Sequence, residues 1–360
     1  MNKLSLHVAA VALSLFAASV FAQADKPAAQ APKPAAQAPK PAAQPKAAEA
    51  AKSAPAAKAT PEAPKPAAET SAPATEAPAP AAKKPAGPPP NAVVEALQMP
   101  AWVERQGEGR LPLMPGMALK ANDKLFTGTN SRLLLKTADG SAVKLGENGS
   151  MTIEAMQVRK DKVFAAALQV VAGAFRFTTE ALAKFRGKRE VNIAFATVTA
   201  GIRGTDLWGK SAPNRQVVCL IEGKIEVAPP GEPAIAMDQP LSFYVRENGA
   251  SKPVAPVPPE QLKQWAQETD TQAGQGVAKR GGKWSITISS KTAAPALKVY
   301  KDIRAAGYAA ELRPIKVEDK RSYAVRVASF ASKADAEVVA KSLKDQGRLG
   351  EASYRIAGAK

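Results

Sequence analysis

Between residues 283 and 357, apolar and polar residues alternate in two stretches that lie 39 positions apart, 284–290 and 323–329. Such alternation is typical of strands with one buried face. Each stretch precedes apolar residues at the spacing i, i+3, i+4, i+7 of an amphipathic helix. These residues are Ala296, Val299, Tyr300 and Ile303, and then, 40 positions on, Ala336, Val339, Ala340 and Leu343. With further strands at 308–313 and 353–356, the pattern predicts an α+β split βαβ unit with a four-stranded antiparallel sheet.

The two predicted helices cover one face of this sheet and leave the other face open. The apolar strand residues should face the helices, and the alternate positions should face solvent. Those alternate positions are Ser285, Thr287, Ser289, Ala324, Arg326 and Ala328. Hydroxyl and guanidinium donors on an uncovered sheet suit the docking of an extended polar chain.

Residues 92–247 show a different pattern, with short apolar runs separated by turn signals and little helical periodicity. Residues 133–145 read as a hairpin around Asp139-Gly140, because Asp-Gly tolerates the backbone angles of a tight turn. Further candidate strands follow at short intervals as far as residue 227. This spacing predicts an all-β sandwich or β-roll.

The remaining segments are not typical of folded domains. Residues 1–24 have a basic start, an apolar run and an Ala-x-Ala site, as in a cleaved secretory signal peptide. Residues 25–90 hold 17 of the 31 prolines and are otherwise rich in Ala and Lys, which predicts a disordered linker. Residues 248–282 read as a second linker, in which four glycines loosen the chain after a short helix at 260–269. We expect Trp265 of that helix to pack back onto the β domain.

Composition excludes several kinds of chemistry. The only histidine, His7, lies in the predicted signal peptide, so the exported protein should have no histidine-based nucleophile system, zinc site or proton shuttle. The only cysteine, Cys219, lies in an apolar run and is expected in the core. We therefore expect no enzymatic activity, no metal and no cofactor. The net charge of +18 points to an acidic polymer as partner.

Several stretches of the β domain, from about 95 to 230, resemble the FecR-type periplasmic domain. They are the Asp-Gly-Ser hairpin at 139–150, the glycine-centred pair at 170–177, the Arg-Gly-Thr element at 197–206 and the closing strand at 221–227. The resemblance implies envelope signalling or scaffolding, with division or envelope proteins as partners of this domain.

Arg203, Gly204 and Thr205 are the candidate site of the β domain, and two interpretations stay open. An arginine beside a glycine turn could hold a carboxylate ligand. Alternatively, the glycines relieve strain in a turn and Arg203 pairs with an acidic side chain of the fold. Glycine turns more often serve backbone geometry than ligand binding, which favours the second interpretation.

Residues 283–357 resemble the SPOR domain, a peptidoglycan-binding module. The resemblance rests on 323–330, with the pattern Y-x-V-x-V-x-x-F, and on 334–347 after it. It implies binding to glycan strands without stem peptides, as found at division sites. The residues expected to bind are Ser285, Thr287, Ser289, Ser290 and Arg326.

Charge agrees with this partner, since residues 283–360 contain 16 Lys and Arg against 8 Asp and Glu. RNP-like RNA-binding modules share the topology but place aromatic residues on the open face. Here Trp284 and Tyr323 fall on the helix face and the chain is exported, so we expect no nucleic-acid partner.

The sequence thus predicts a multidomain, exported, non-enzymatic protein that binds peptidoglycan in the periplasm, in particular at the septum. After signal cleavage it should have no membrane span. A second interpretation is that the β domain senses an envelope signal and the C-terminal domain only positions it at the wall.

Overall fold

The structure is a computed structural model that describes residues 91–179, 187–195, 198–317, 320–350 and 352–358, with the side chains of 198–204 excepted. The predicted signal peptide and the proline-rich linker therefore lie outside the described residues. Within the described part of the chain, no helix is long and apolar enough to cross a membrane.

The first elements are almost all strands. They are β1 (Ala92–Gln98), β2 (Ala101–Arg105), β3 (Gly109–Pro112), β4 (Ala118–Leu119), β5 (Lys124–Thr127), β6 (Arg132–Thr137), β7 (Ala142–Leu145), β8 (Ser150–Val158), β9 (Val163–Thr178), β10 (Lys188–Phe195), β11 (Val198–Ala212), β12 (Arg215–Ala228), β13 (Ile235–Met237), β14 (Ser242–Glu247), β15 (Ala250–Ser251) and β16 (Ala255–Pro256). Helix α1 (Pro259–Thr269) follows. We call β1–β16 and α1 the N-terminal part.

Three long strands, β9, β11 and β12, change partners about halfway along their length. One half of each strand pairs with β8, β10 or β13. The other halves pair with one another, with β7 and with β14, and so continue the series of strands that begins with β1 and β6. Strands β9 and β12 bend between the halves at Gly173 and Gly223, whose φ angles of +89° and +92° favour glycine. The apolar faces share one core that includes Leu135, Phe177 and Ile193. The expectation of an all-β domain is confirmed.

The Asp-Gly-Ser hairpin between β6 and β7 is held by a buried carboxylate. Asp139 is fully buried and accepts hydrogen bonds from Thr137 Oγ1 at 2.5 Å, Ser141 Oγ at 2.6 Å and Arg189 Nε at 2.7 Å. Because a buried carboxylate is costly unless its oxygens are paired, these donors explain how the turn tolerates it.

Helix α1 packs against β9, β11, β12 and β14 and makes a small separate core there. The ring of Trp265 stacks on Trp208 of β11, with centroids 4.5 Å apart, and Phe243 of β14 meets it edge-on. Cys219 of β12 is buried in the same cluster. The expected return of Trp265 to the β structure and the core position of Cys219 are both confirmed.

The C-terminal part has the predicted split βαβ topology. Its elements are β18 (Trp284–Ser290), α2 (Ala293–Ala305), β19 (Ala310–Val317), β20 (Lys320–Phe330), α3 (Lys333–Asp345) and β21 (Tyr354–Gly358). Antiparallel pairing places these strands in the order β19–β20–β18–β21. Ala296, Val299 and Ile303 of α2, and all four predicted residues of α3, are buried.

The connecting segment, residues 270–283, is tied to both parts. Its strand β17 (Val277–Lys279) pairs with β1 along three residues, and Ala278 pairs with Phe330 of β20. The carboxylate of Asp335, at the start of α3, accepts from the backbone nitrogens of Gly276 at 3.2 Å and Val277 at 2.9 Å. The glycines that were expected to make this segment flexible therefore lie in a segment that is hydrogen-bonded to both parts. Local composition did not predict these bonds.

Candidate functional site

The open face of the C-terminal sheet is defined by its cross-strand pairs, because directly opposed residues of antiparallel strands point to the same side. Ile286, Ile288, Val325 and Val327 form one core with the buried residues of α2 and α3. The alternate residues therefore point away from the helices.

One row of side chains crosses this face from edge to edge. Arg326 of β20 lies opposite Thr287 of β18 on one side and Glu311 of β19 on the other, and Thr287 in turn lies opposite Arg355 of β21. Thr287 and Arg326 are half-buried, and Arg355 is exposed. We call these four residues the central row.

A second row lies beside the central row. Ala324 of β20 is paired with Ser289 of β18 and with Arg313 of β19. Ala324 is buried, whereas Ser289 and the arginine are exposed. The small Ala324 thus forms the floor of a shallow surface between flanking polar side chains.

The guanidinium groups on the open face differ in their partners. Arg313 donates to Glu311 Oε2 at 2.6 Å. Arg326 and Arg355 make no side-chain hydrogen bond or ion pair with any other described residue. Two arginines are therefore free to bind an acceptor-rich ligand, and their forked donors suit carboxylates.

Two of the five predicted binding residues do not fit this surface. Ser290 lies opposite Tyr323, which is on the helix side, and its hydroxyl donates to the Thr292 carbonyl oxygen at 3.0 Å. Ser285 is only 4% exposed, and its hydroxyl donates to the Ala357 carbonyl oxygen at 3.4 Å. Both hydroxyls are bonded to backbone carbonyl oxygens, which leaves Thr287, Ser289 and Arg326 as the predicted residues on the accessible face.

Arg313 and Arg355 were missed by the sequence reasoning. Both lie on edge strands whose existence was predicted but whose register was not. Alternation within a strand identifies the side of each residue relative to its neighbours, but it does not show which residue of another strand lies opposite. A register assigned from the core positions Leu312 and Ile356 would have placed both arginines on the open face.

The Arg-Gly-Thr element of the N-terminal part was expected to form a turn, but it lies in a strand. Residues 203–205 lie within β11, where the pairing with β12 shifts by one residue between Arg203 and Asp206. An extra residue of this kind is a β-bulge, which re-aims the strand. The side chain of Arg203 lies outside the described part of the structure, so its ligand role stays a prediction.

Thr205 and its neighbour Asp206 have structural partners. The buried Thr205 hydroxyl donates to the Lys224 carbonyl oxygen at 3.1 Å. Arg176 grips Asp206 with two bonds, of 2.9 and 2.6 Å, and this hydrogen bonding raises the pKa of Arg176 above its usual value. The acidic side chain at the bulge thus pairs with Arg176 of the neighbouring strand.

The described residues contain no cluster of three or more histidine, cysteine or acidic side chains placed to hold a metal ion. Burial raises the pKa of the Cys219 thiol to about 12, so this thiol remains protonated at neutral pH. A protonated, buried thiol is a poor nucleophile.

Two segments of the chain match known protein families. Residues 123–226 match the family model described as FecR protein, and residues 281–354 match the model described as SPOR domain. The chain combines a FecR domain and a SPOR domain. These families are not enzymes, and both are typical of envelope proteins. The SPOR domain supports peptidoglycan binding, and the FecR domain supports envelope signalling.

Solved structures also resemble the chain, at low identity. Two crystal structures of a protein provisionally described as an anti-sigma factor from Parabacteroides distasonis match at 11% and 13% identity, with TM-scores of 0.33 and 0.34. The matches cover 55% and 66% of this chain and 96% and 99% of those chains. A search of curated proteins finds no match.

Proposed function

We propose that this protein is exported to the periplasm and binds peptidoglycan glycan strands that lack stem peptides, through the open face of its SPOR domain. The division septum is the proposed location, and the proline-rich residues 25–90 are the proposed tether. No chemistry is required of the chain, which acts as an adaptor to the wall.

The observation that carries the proposal is the central row. It crosses all four strands and contains two arginines without partners among the described residues, with the Thr287 hydroxyl between them. A stripped glycan strand is an extended chain of hydroxyl, acetamide and lactyl carboxylate groups. Arginine donors suit its carboxylates, and hydroxyl side chains suit its neutral groups.

A pull-down with purified sacculi tests this proposal on the full chain. Sacculi are compared before and after treatment with an amidase that removes stem peptides. We expect amidase treatment to increase the bound fraction. Equal or weaker binding after treatment would contradict the preference for stripped glycan.

A second candidate function is envelope sensing, in which the FecR domain receives a signal and the SPOR domain positions it. The observation that favours it is the connecting segment, whose β17 pairs with both β1 and β20. A hydrogen-bonded joint of this kind transmits displacement between the parts better than a slack linker does.

The sensing candidate predicts a transcriptional response that depends on the joint. Envelope-stress transcription in the source bacterium is compared between the native chain and Asp335→Ala, which removes the acceptor for two connecting-segment amides. An altered response with unchanged wall binding supports sensing. An unchanged response contradicts it.

A further inference from the structure

A cleft with both polar and apolar lining residues lies away from the open face, between the N-terminal and C-terminal parts. Its volume is about 590 Å³, within the range of small-molecule sites. Trp102 and Asn130 line it from the N-terminal part, Gln275 from the connecting segment, and Tyr308, Val339 and Arg348 from the C-terminal part. None of its lining residues in the described chain is acidic.

One arginine at this cleft has a buried donor without a partner. The Nε atom of Arg348 is buried without a hydrogen-bond partner, and its guanidinium makes no ion pair with any described residue. The side chains of Asn130 and Gln275 are exposed, and their amides make no hydrogen bond with any other described residue. The Arg348 Nε atom is therefore the one costly, unsatisfied donor among the described lining residues, since a buried donor without an acceptor loses its hydrogen bond to water.

From this arrangement we propose that the cleft binds a short peptide through its free terminal carboxylate. Arg348 supplies the charge and forked donors for the carboxylate, and the Asn130 and Gln275 amides hydrogen-bond the peptide backbone. Small apolar side chains of the peptide pack against Trp102 and Val339.

The stem peptides of the wall are the proposed source of this carboxylate, a choice that rests on the proposed function. The open face would bind a stripped strand, and the cleft would bind a stem peptide from neighbouring material. Because the ligand contacts both parts of the chain, its binding also stiffens the joint between them.

Calorimetric titration of the full chain with N-acetyl-D-alanyl-D-alanine tests the site. The same dipeptide with an amidated terminus is the matched ligand control, and the L,L isomer is the control for a protein source. We expect the D,D acid to bind and amidation to weaken binding at least about tenfold, as for loss of a charged hydrogen bond. Absence of binding at millimolar D,D acid, equal binding of the amide, or preference for the L,L acid would each overturn the proposal.

Variants separate this site from the open face. Arg348→Gln should weaken dipeptide binding at least about tenfold and leave binding to amidase-treated sacculi unchanged. Arg326→Gln should weaken binding to amidase-treated sacculi and leave dipeptide binding unchanged. Circular dichroism checks that both variants fold. Dipeptide binding that survives Arg348→Gln overturns the cleft assignment, even where wall binding behaves as proposed. If the native chain does not bind amidase-treated sacculi but does bind the dipeptide, the proposed function fails and the cleft assignment stands.

Discussion

The indole ring of Trp102 occupies the space that a side chain at Gly307 would need. A Cβ at residue 307 would lie 2.5 Å from two ring carbons of Trp102, and Gly307 has a φ of +87°. The amide nitrogen of Ala101 also donates to the Gly307 carbonyl oxygen, at 3.2 Å. Since Trp102 lies in β2 and Gly307 follows α2, this contact joins the two parts of the chain.

Replacement of Gly307 by alanine should therefore loosen the contact between the parts. The left-handed backbone costs about 1–2 kcal/mol for a residue with a Cβ, and the clash should add about 1–3 kcal/mol. Denaturant unfolding of Gly307→Ala measures the combined loss of unfolding free energy.

The internal repeat provides a matched control for this substitution. Gly347 follows α3 as Gly307 follows α2 and has a φ of +66°, but a Cβ at residue 347 would have no described atom within 4 Å beyond its chain neighbours. Gly347→Ala should lose only the backbone share. Equal losses at the two glycines would show that the Trp102 contact contributes nothing.

The Asp335 carboxylate should stabilise the connecting segment between the two parts. It is 1% exposed, and Asp335→Ala leaves the Gly276 and Val277 amides without their acceptor. Each unsatisfied amide costs about 1–3 kcal/mol, so we expect a loss of about 2–5 kcal/mol in unfolding free energy. Hydrogen exchange at residues 276 and 277 should also accelerate.

Asp335→Asn keeps one acceptor oxygen and should lose less than the alanine variant. Glu337→Ala, on the exposed side of the same helix, controls for general effects on α3. Unchanged exchange at Gly276 and Val277 in Asp335→Ala would contradict the role assigned to this carboxylate.

The alternation and helical spacing of the C-terminal part were sufficient to predict its topology. Ile286, Val325 and the apolar residues of both helices occupy the expected core because these periods are set within single elements. Strand limits were less well defined: β19 was predicted at 308–313 and lies at Ala310–Val317.

Features that depend on contacts distant in sequence could not be predicted in the same way. The placement of Arg355 beside Thr287, the pairing of β17 with β1 and the bulge at residues 203–206 all depend on register between strands. The binding role predicted for Ser290 likewise came from its place in the strand alone, and its hydroxyl donates to the Thr292 carbonyl oxygen before α2. Local patterns do not contain this information.

The Cys219 thiol should resist modification in the folded protein. Burial raises its pKa to about 12, so at pH 8 it is protonated, whereas an exposed cysteine is partly thiolate. A thiol-reactive chromophore should label the chain slowly at pH 8 and rapidly in guanidinium chloride. Equal rates in the two conditions would show that the thiol is accessible in the folded state.

Arginine substitutions on β20 test the central claim most directly, because the strand presents arginine to both sides of the sheet. Arg326 lies in the central row, whereas Arg321 is exposed, lies opposite Lys316 and belongs to the helix-facing set of positions. The measurement is the affinity of full-length Arg326→Ala and Arg321→Ala for amidase-treated sacculi. We expect at least about a tenfold loss for Arg326→Ala, as for a lost charged hydrogen bond, and little change for Arg321→Ala. Equal affinities of the two variants would contradict glycan binding by the open face.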